Sequence, residues 1–177
     1  MKKKLTCALL AAVMVFALAA CGSSGSKESE APKNITGYTF EAPEGFTVSA
    51  DNDQLWLAPD YPADGSNITV VPVARYDEQF GSYTQESLEA GLESAFAQEM
   101  EEEVDLISDT FEHTTIDGVD AIRYCYHLEL YGVALRQELV TVNAANGGYS
   151  FTFTQSGEAD WNDAYHACIN SIRFTFE

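Results

Sequence analysis

Three runs between Val119 and Gln155 alternate apolar and polar positions with a period of two. The first puts Ile122, Tyr124, Tyr126, Leu128 and Leu130 on one face of a strand and Arg123, Cys125, His127 and Glu129 on the other. A two-residue turn at Tyr131-Gly132 sets Leu130 opposite Val133, Leu128 opposite Leu135 and Tyr124 opposite Leu139. The same register leaves Glu129 diagonal to Arg136 and Arg123 diagonal to Glu138, and each exposed pair contributes ~0.2–1 kcal/mol. Such a charged lattice serves either as a binding surface or as an ordinary solvated or half-covered sheet face, and the second use is the commoner one.

The hairpin that follows has two readings. A two-residue Asn146-Gly147 turn places Phe151 and Phe153 beside Val140 and Val142, on the charged face. A five-residue loop from Ala144 to Gly148 places them beside Leu139 and Thr141. A slip of one residue flips every side chain, so the two are mutually exclusive. Helices covering both faces would bury the phenylalanines in either case.

The 3.6-residue period takes over from Ser82 to about Glu102, where Leu88, Leu92, Ala95, Phe96 and Met100 form one apolar stripe. Ser82 or Thr84 can cap its first turn, and Gly91 weakens its interior by about 1 kcal/mol. A second helix is predicted over Glu158–Ser171, with Trp161, Ala164, Tyr165, Cys168, Ile169 and Ile172 inward, followed by an extended tail from Arg173 to Phe176. Tyr38–Val48 is predicted to form a short strand, a Pro-Glu-Gly turn and a second short strand, and Gln54–Ala58 another short strand. Asn67–Ala74 carries Pro72, which argues for an edge position or a bulge. A further strand spans Val104–Thr115, and Asp117-Gly118 turns it into the meander. The expected fold class is α+β: a single, mostly antiparallel sheet of about six strands with helices packed on both faces.

The amino terminus departs from these patterns. Met1-Lys2-Lys3-Lys4 is a positive n-region, and Leu5–Ala20 is an apolar stretch short for a bilayer span. Leu18-Ala19-Ala20-Cys21 resembles a bacterial lipobox, in which the cysteine is acylated and becomes the first residue after cleavage. Residues 1–20 are therefore expected to be a lipoprotein signal peptide. Residues 21–36, rich in Gly, Ser, Glu and Lys, are expected to be a flexible acylated tether, and 37–177 a single domain. An ordinary secretory signal with an incidental cysteine is the competing reading.

Removing the leader sharpens the charge. The whole chain has 9 basic and 28 acidic residues, a formal −19; without Lys2, Lys3 and Lys4 it has 6 against 28, a formal −22. Such a surface repels nucleic acid and anionic headgroups, and favours basic proteins, cationic ligands or metal ions.

Recognisable chemistry is sparse. The chain contains no Gly-x-Ser-x-Gly elbow, no His-Glu-x-x-His and no Gly-rich phosphate loop. Cys125 and His127 share a strand face about 7 Å apart, and Cys168 can join them if the last helix covers that face. Two cysteines and a histidine are an incomplete metal set. A Cys125–Cys168 disulfide is compatible with export, and buried free thiols are the plainer reading. His166 and Cys168 point to different sides of their helix. Asp51-Asn52-Asp53 begins like a calcium loop but lacks the sixth-position glycine and twelfth-position glutamate, so exposed turn residues are the simpler reading. Trp56, Tyr61 and Tyr83 serve either as a ligand groove or as core.

Several short motifs resemble the PsbP-like superfamily, which includes bacterial DcrB-type lipoproteins. They are Tyr38-Thr39-Phe40 with Pro43-Glu44-Gly45-Phe46, Asn67-Ile68-Thr69-Val70, Ser87-Leu88, Gly118 with Ala121-Ile122-Arg123-Tyr124, Gly148-Tyr149-Ser150-Phe151-Thr152-Phe153-Thr154, and Ser171-Ile172-Arg173-Phe174. The resemblance covers about residues 37–177 and implies an antiparallel sheet between helices, no shared catalytic residues, and action by binding other macromolecules; no cofactor is expected. The expected function is a non-enzymatic, extracytoplasmic cell-envelope lipoprotein. It would sit on the membrane through the lipid on Cys21 and bind a protein or cationic partner, not nucleic acid. Two rivals stand beside it. One is a small-ligand or metal-binding lipoprotein serving a transporter; the other is a hydrolase using His113, His127 or His166 beside an acid and a nucleophile.

Cys21→Ser is expected to release the protein from membranes in a fractionation experiment, because stable anchoring needs two or more acyl chains. Unchanged membrane retention of that variant contradicts the lipobox reading.

Overall fold

The computed structural model describes residues 33–100 and 104–177, without the side chains of residues 99 and 100. Nine strands and two helices follow one another as β1 (Ile35–Thr39), β2 (Thr47–Val48), β3 (Leu55–Leu57), β4 (Asn67–Val73), α1 (Gln85–Met100), β5 (Ile107–Ile116), β6 (Val119–Leu130), β7 (Val133–Ala144), β8 (Gly147–Gln155), α2 (Asn162–Ser171) and β9 (Arg173–Phe176). Seven strands form one antiparallel sheet in the order β2-β3-β4-β8-β7-β6-β5, and β1 pairs with β9 as a separate ribbon. The sheet is thus one strand wider than expected. The carboxy-terminal tail pairs with the first strand instead of running free. Ile35, buried in β1, draws the fold two residues into the stretch read as tether.

Two turns set the meander. Asp117 and Gly118 (φ 49° and 78°) and Tyr131 and Gly132 (φ 52° and 78°) are left-handed at both central positions, the type I′ geometry that matches strand twist. Ile116 therefore faces Val119, and Leu130 faces Val133. Leu128 then faces Leu135, and Tyr124 faces Leu139, as the alternation predicts.

The third turn follows neither reading. Ala144 pairs with Gly147, so the turn is Ala145-Asn146, and Phe151 and Phe153 lie opposite Val140 and Glu138. The phenylalanines take the face expected of the two-residue turn, displaced by two residues; the five-residue loop would have put them on the other face. The reason is steric. A Cβ on Gly147 would sit 1.9 Å from the Val73 carbonyl oxygen, and one on Gly148 2.1 Å from that of Val142. Both glycines are needed inside the ladder, where neighbouring backbones close on them. Asn146 serves as a clamp on β1: its Oδ1 accepts from the Ile35 N–H at 3.0 Å, and its Nδ2 donates to the Ile35 carbonyl at 2.8 Å. Asn143 holds the backbone of Asp77 in the same two-bond manner, at 2.9 and 2.8 Å.

Pro72 lies in the fourth strand, which is interior to the sheet order, and pairs with Tyr149. Pairing with β3 runs only from Asn67 to Thr69, so on that side β4 is an edge by the time it reaches the proline.

Each helix buries its stripe against a different set of sheet residues. Leu88, Leu92 and Phe96 of α1 cluster with Ile122, Tyr124, Tyr126, Leu128 and Leu139. Tyr165, Cys168 and Ile169 of α2 cluster with Ile68, Val70, Ala121, Val140, Val142, Phe151 and Phe153, and β1 and β9 add Ile35 and Phe174 to that side. By the period of two these are opposite faces of β6. Thr84, not Ser82, caps α1: its Oγ1 accepts from the Ser87 N–H at 3.3 Å while Ser87 Oγ accepts from the Thr84 N–H at 2.9 Å. The Met100 side chain and Glu101–Glu103, the predicted end of this helix, lie outside the described residues. α2 begins at Asn162, four residues later than predicted, where the Asp160 carboxylate accepts from the Asn162 N–H at 3.0 Å.

Gly147→Ala is expected to destabilise the fold by about 2–4 kcal/mol in denaturant titration, through backbone collision and a φ of 114° that alanine resists. Gly81→Ala, which meets nothing within 4 Å, is expected to change stability by less than about 0.5 kcal/mol. Equal effects at the two sites would contradict the register described here.

Candidate functional site

Titratable side chains concentrate on one face of the meander, because parity brings Arg123, Cys125 and His127 of β6 beside Glu138 and Arg136 of β7. Cys125 pairs directly with Glu138, and His127 with Arg136. A bulge in β5 between Ser108 and Thr110 adds Asp109 to them. Its Oδ2 accepts from His127 Nε2 at 2.7 Å and from the Cys125 thiol at 3.6 Å, with Arg136 Nε 3.9 Å away.

Glu138 sits deepest, with 4% of its side chain exposed. A carboxylate so buried must be paired. Its Oε1 accepts from Arg123 Nε at 3.0 Å and forms an ion pair with Arg123 Nη2. His166 of α2 brings Nε2 to 3.4 Å from Oε2, at an angle that leaves Oε2 without a hydrogen bond. The diagonal Arg123–Glu138 pair was legible in the sequence. The Asp109 bulge was not, since nothing in Ser108-Asp109-Thr110 marks an extra residue.

Cys125 and Cys168 are both buried free thiols. Burial pushes each from an ordinary value of 9.0 up to about 12. A thiol held protonated is a poor nucleophile and a poor metal ligand at neutral pH. Among the described residues no three His, Cys, Asp or Glu side chains are grouped to hold a metal ion.

The remaining candidates separate. Trp56 packs against Phe40 at 4.8 Å in the cluster with α2, Tyr83 packs on the cluster with α1, and Tyr61 is exposed, so the three share no groove. Asp51, Asn52 and Asp53 are exposed, and Asn52 Oδ1 accepts from the Gln54 N–H at 2.9 Å, an ordinary turn. His113 donates from Nε2 to the Tyr83 carbonyl at 2.8 Å. Leu18, Ala19, Ala20 and the candidate acylation site Cys21 lie outside the described residues. What the face offers is a set of charges satisfied largely by one another, with Glu112 of β5 exposed at its border.

No protein-family model matches the chain, and no curated protein matches it. Among solved structures, the chain is similar to cyanobacterial PsbP (CyanoP) from Synechocystis sp. PCC 6803, with a TM-score of 0.56 at 11% identity over 89% of this chain and 99% of that one. It also matches LpqN, described as involved in cell envelope biogenesis of Mycobacterium tuberculosis, with a TM-score of 0.49 at 12% identity over 81% of this chain and 86% of that one. A protein from Bacteroides thetaiotaomicron VPI-5482 scores 0.45 at 12% identity over 83% of this chain and 49% of that one. The first of these shows that the fold is PsbP-like.

The raised thiols give a signed pH dependence. Unfolding lets each thiol ionise near 9.0, whereas the folded state retains the proton up to about 12, so this contribution is complete below pH 9 and is lost as pH rises towards 12. Stability measured by denaturant titration is expected to fall across that window, and less steeply in a Cys125→Ala, Cys168→Ala double variant. An unchanged slope would show that the thiols are accessible in the folded protein.

Proposed function

From this PsbP-like fold, we propose that the chain is a cell-envelope lipoprotein, held outside the cytoplasm by the lipid on Cys21, which acts by binding and not by catalysis. Its partner is a protein or another cationic species. The observation that carries this reading is the disposition of charge. The chain past Cys21 has 28 acidic residues against 6 basic ones, and the groups on the meander face are tied to one another instead of being arranged about a nucleophile. A general base needs a nucleophile in reach. Among the described residues, the side chains bonded to or paired with Asp109, His127, Glu138 and His166 are one another, a thiol held protonated by burial and two arginines. The layering, with α1 clustered on one sheet face and α2 on the other, supports reading the body as an α/β/α sandwich. Among the described residues no helix is long and apolar enough to cross a membrane.

Chemical crosslinking in intact cells, followed by detergent extraction, is expected to trap a defined basic protein, with the yield falling as ionic strength rises and screens the attraction. Recovery of no specific protein together with a bound small molecule or ion would favour the transporter-associated rival.

A further inference from the structure

We propose that the open edge of β5, from Thr110 to Ile116, is where the partner binds: an extended segment rich in lysine or arginine adds there as an eighth strand. This rests on the binding role proposed above and names its surface.

The sheet ends very differently on its two sides. β2, at one border, has two residues, too short to template pairing; β5, at the other, has ten. The bulge after Ser108 breaks the regular ladder at one end of β5 and leaves seven consecutive residues in register with β6. The type I′ turn makes Ile116 and Val119 a hydrogen-bonded pair, so bonding alternates back through Thr114, Glu112 and Thr110. Phe111, His113 and Thr115 therefore turn their N–H and C=O groups away from β6. No backbone hydrogen bond ties these three to any other segment among the described residues. This is the geometry that β-strand addition uses.

Charge selects the occupant. From Val104 to Ile122 the chain carries Asp105, Asp109, Glu112, Asp117 and Asp120 and no lysine or arginine. Glu112 and Thr114 stand exposed or half-exposed on the α2 side of the strand. Arg123 of β6 lies opposite Glu112 on the inner flank but is paired with Glu138, so a basic residue of an added strand would meet Glu112 from the open side. On the α1 side His113 is engaged with the Tyr83 carbonyl, which steadies the strand from the other face. A second copy is a poor occupant: antiparallel self-pairing about His113 would make the two Glu112 side chains diagonal neighbours on one face, on chains of formal charge −22.

The test uses the full chain in detergent micelles with a decapeptide alternating lysine with threonine or valine, and the same peptide with glutamate for lysine. The lysine peptide is expected to slow amide exchange at Phe111, His113 and Thr115 by roughly tenfold or more, and the glutamate peptide to do nothing. Thr115→Pro removes an outward N–H without removing a bond to β6, and Glu112→Lys reverses the local charge; each is expected to weaken binding about tenfold. Glu112→Lys is a surface change and decides the matter should Thr115→Pro fail to fold. The proposal is overturned if the lysine peptide fails to bind, if it binds with those three amides unprotected, or if Glu112→Lys binds it as well as the parent. In cells, a partner crosslinked equally by the parent and by Glu112→Lys would sink the β5 edge and leave the binding role standing, whereas no partner for the parent would sink the binding role itself.

Discussion

Register is the constraint on which the rest of this molecule depends. Strand side chains have a period of two, so a one-residue slip would exchange the two faces of the meander. β6 is buried on both sides, with Tyr124 and Tyr126 under α1 and Ala121 and Cys125 on the α2 side, and tolerates no such exchange. The pairs of left-handed residues at Asp117-Gly118 and Tyr131-Gly132 hold it in place from both ends. From that register follow the two cores, the collected charges and the outward amides of β5.

What was legible locally came true where the determinants are local. The Tyr131-Gly132 turn, the pairing of β6 with β7, the α1 stripe and the diagonal Arg123–Glu138 pair all follow from residues near one another in the chain. The β7–β8 turn failed for the opposite reason. Asn146-Gly147 is favourable turn chemistry, but the Val73 backbone, more than seventy residues earlier, needs the space that Gly147 leaves open. Asn143 and Asn146 resemble loop residues in sequence and prove to be clamps on Asp77 and Ile35. The β1–β9 pairing joins the two ends of the domain, and no local period announces it.

The same distinction separates what the charges do. Buried groups are neutralised in place: Glu138 by Arg123, and the two thiols by keeping their protons. Exposed acidic groups, among them Glu112 on the border strand, are left to the solvent. A buried set that is largely self-satisfied rigidifies a sheet and offers little to a substrate. An unbalanced border attracts oppositely charged segments over about a Debye length.

Cross-strand nuclear Overhauser contacts between β7 and β8 test the register most directly. The structure requires Phe153 opposite Glu138 and Phe151 opposite Val140. Contacts placing Phe153 opposite Val140, or opposite Leu139, would contradict it and with it the assignment of faces.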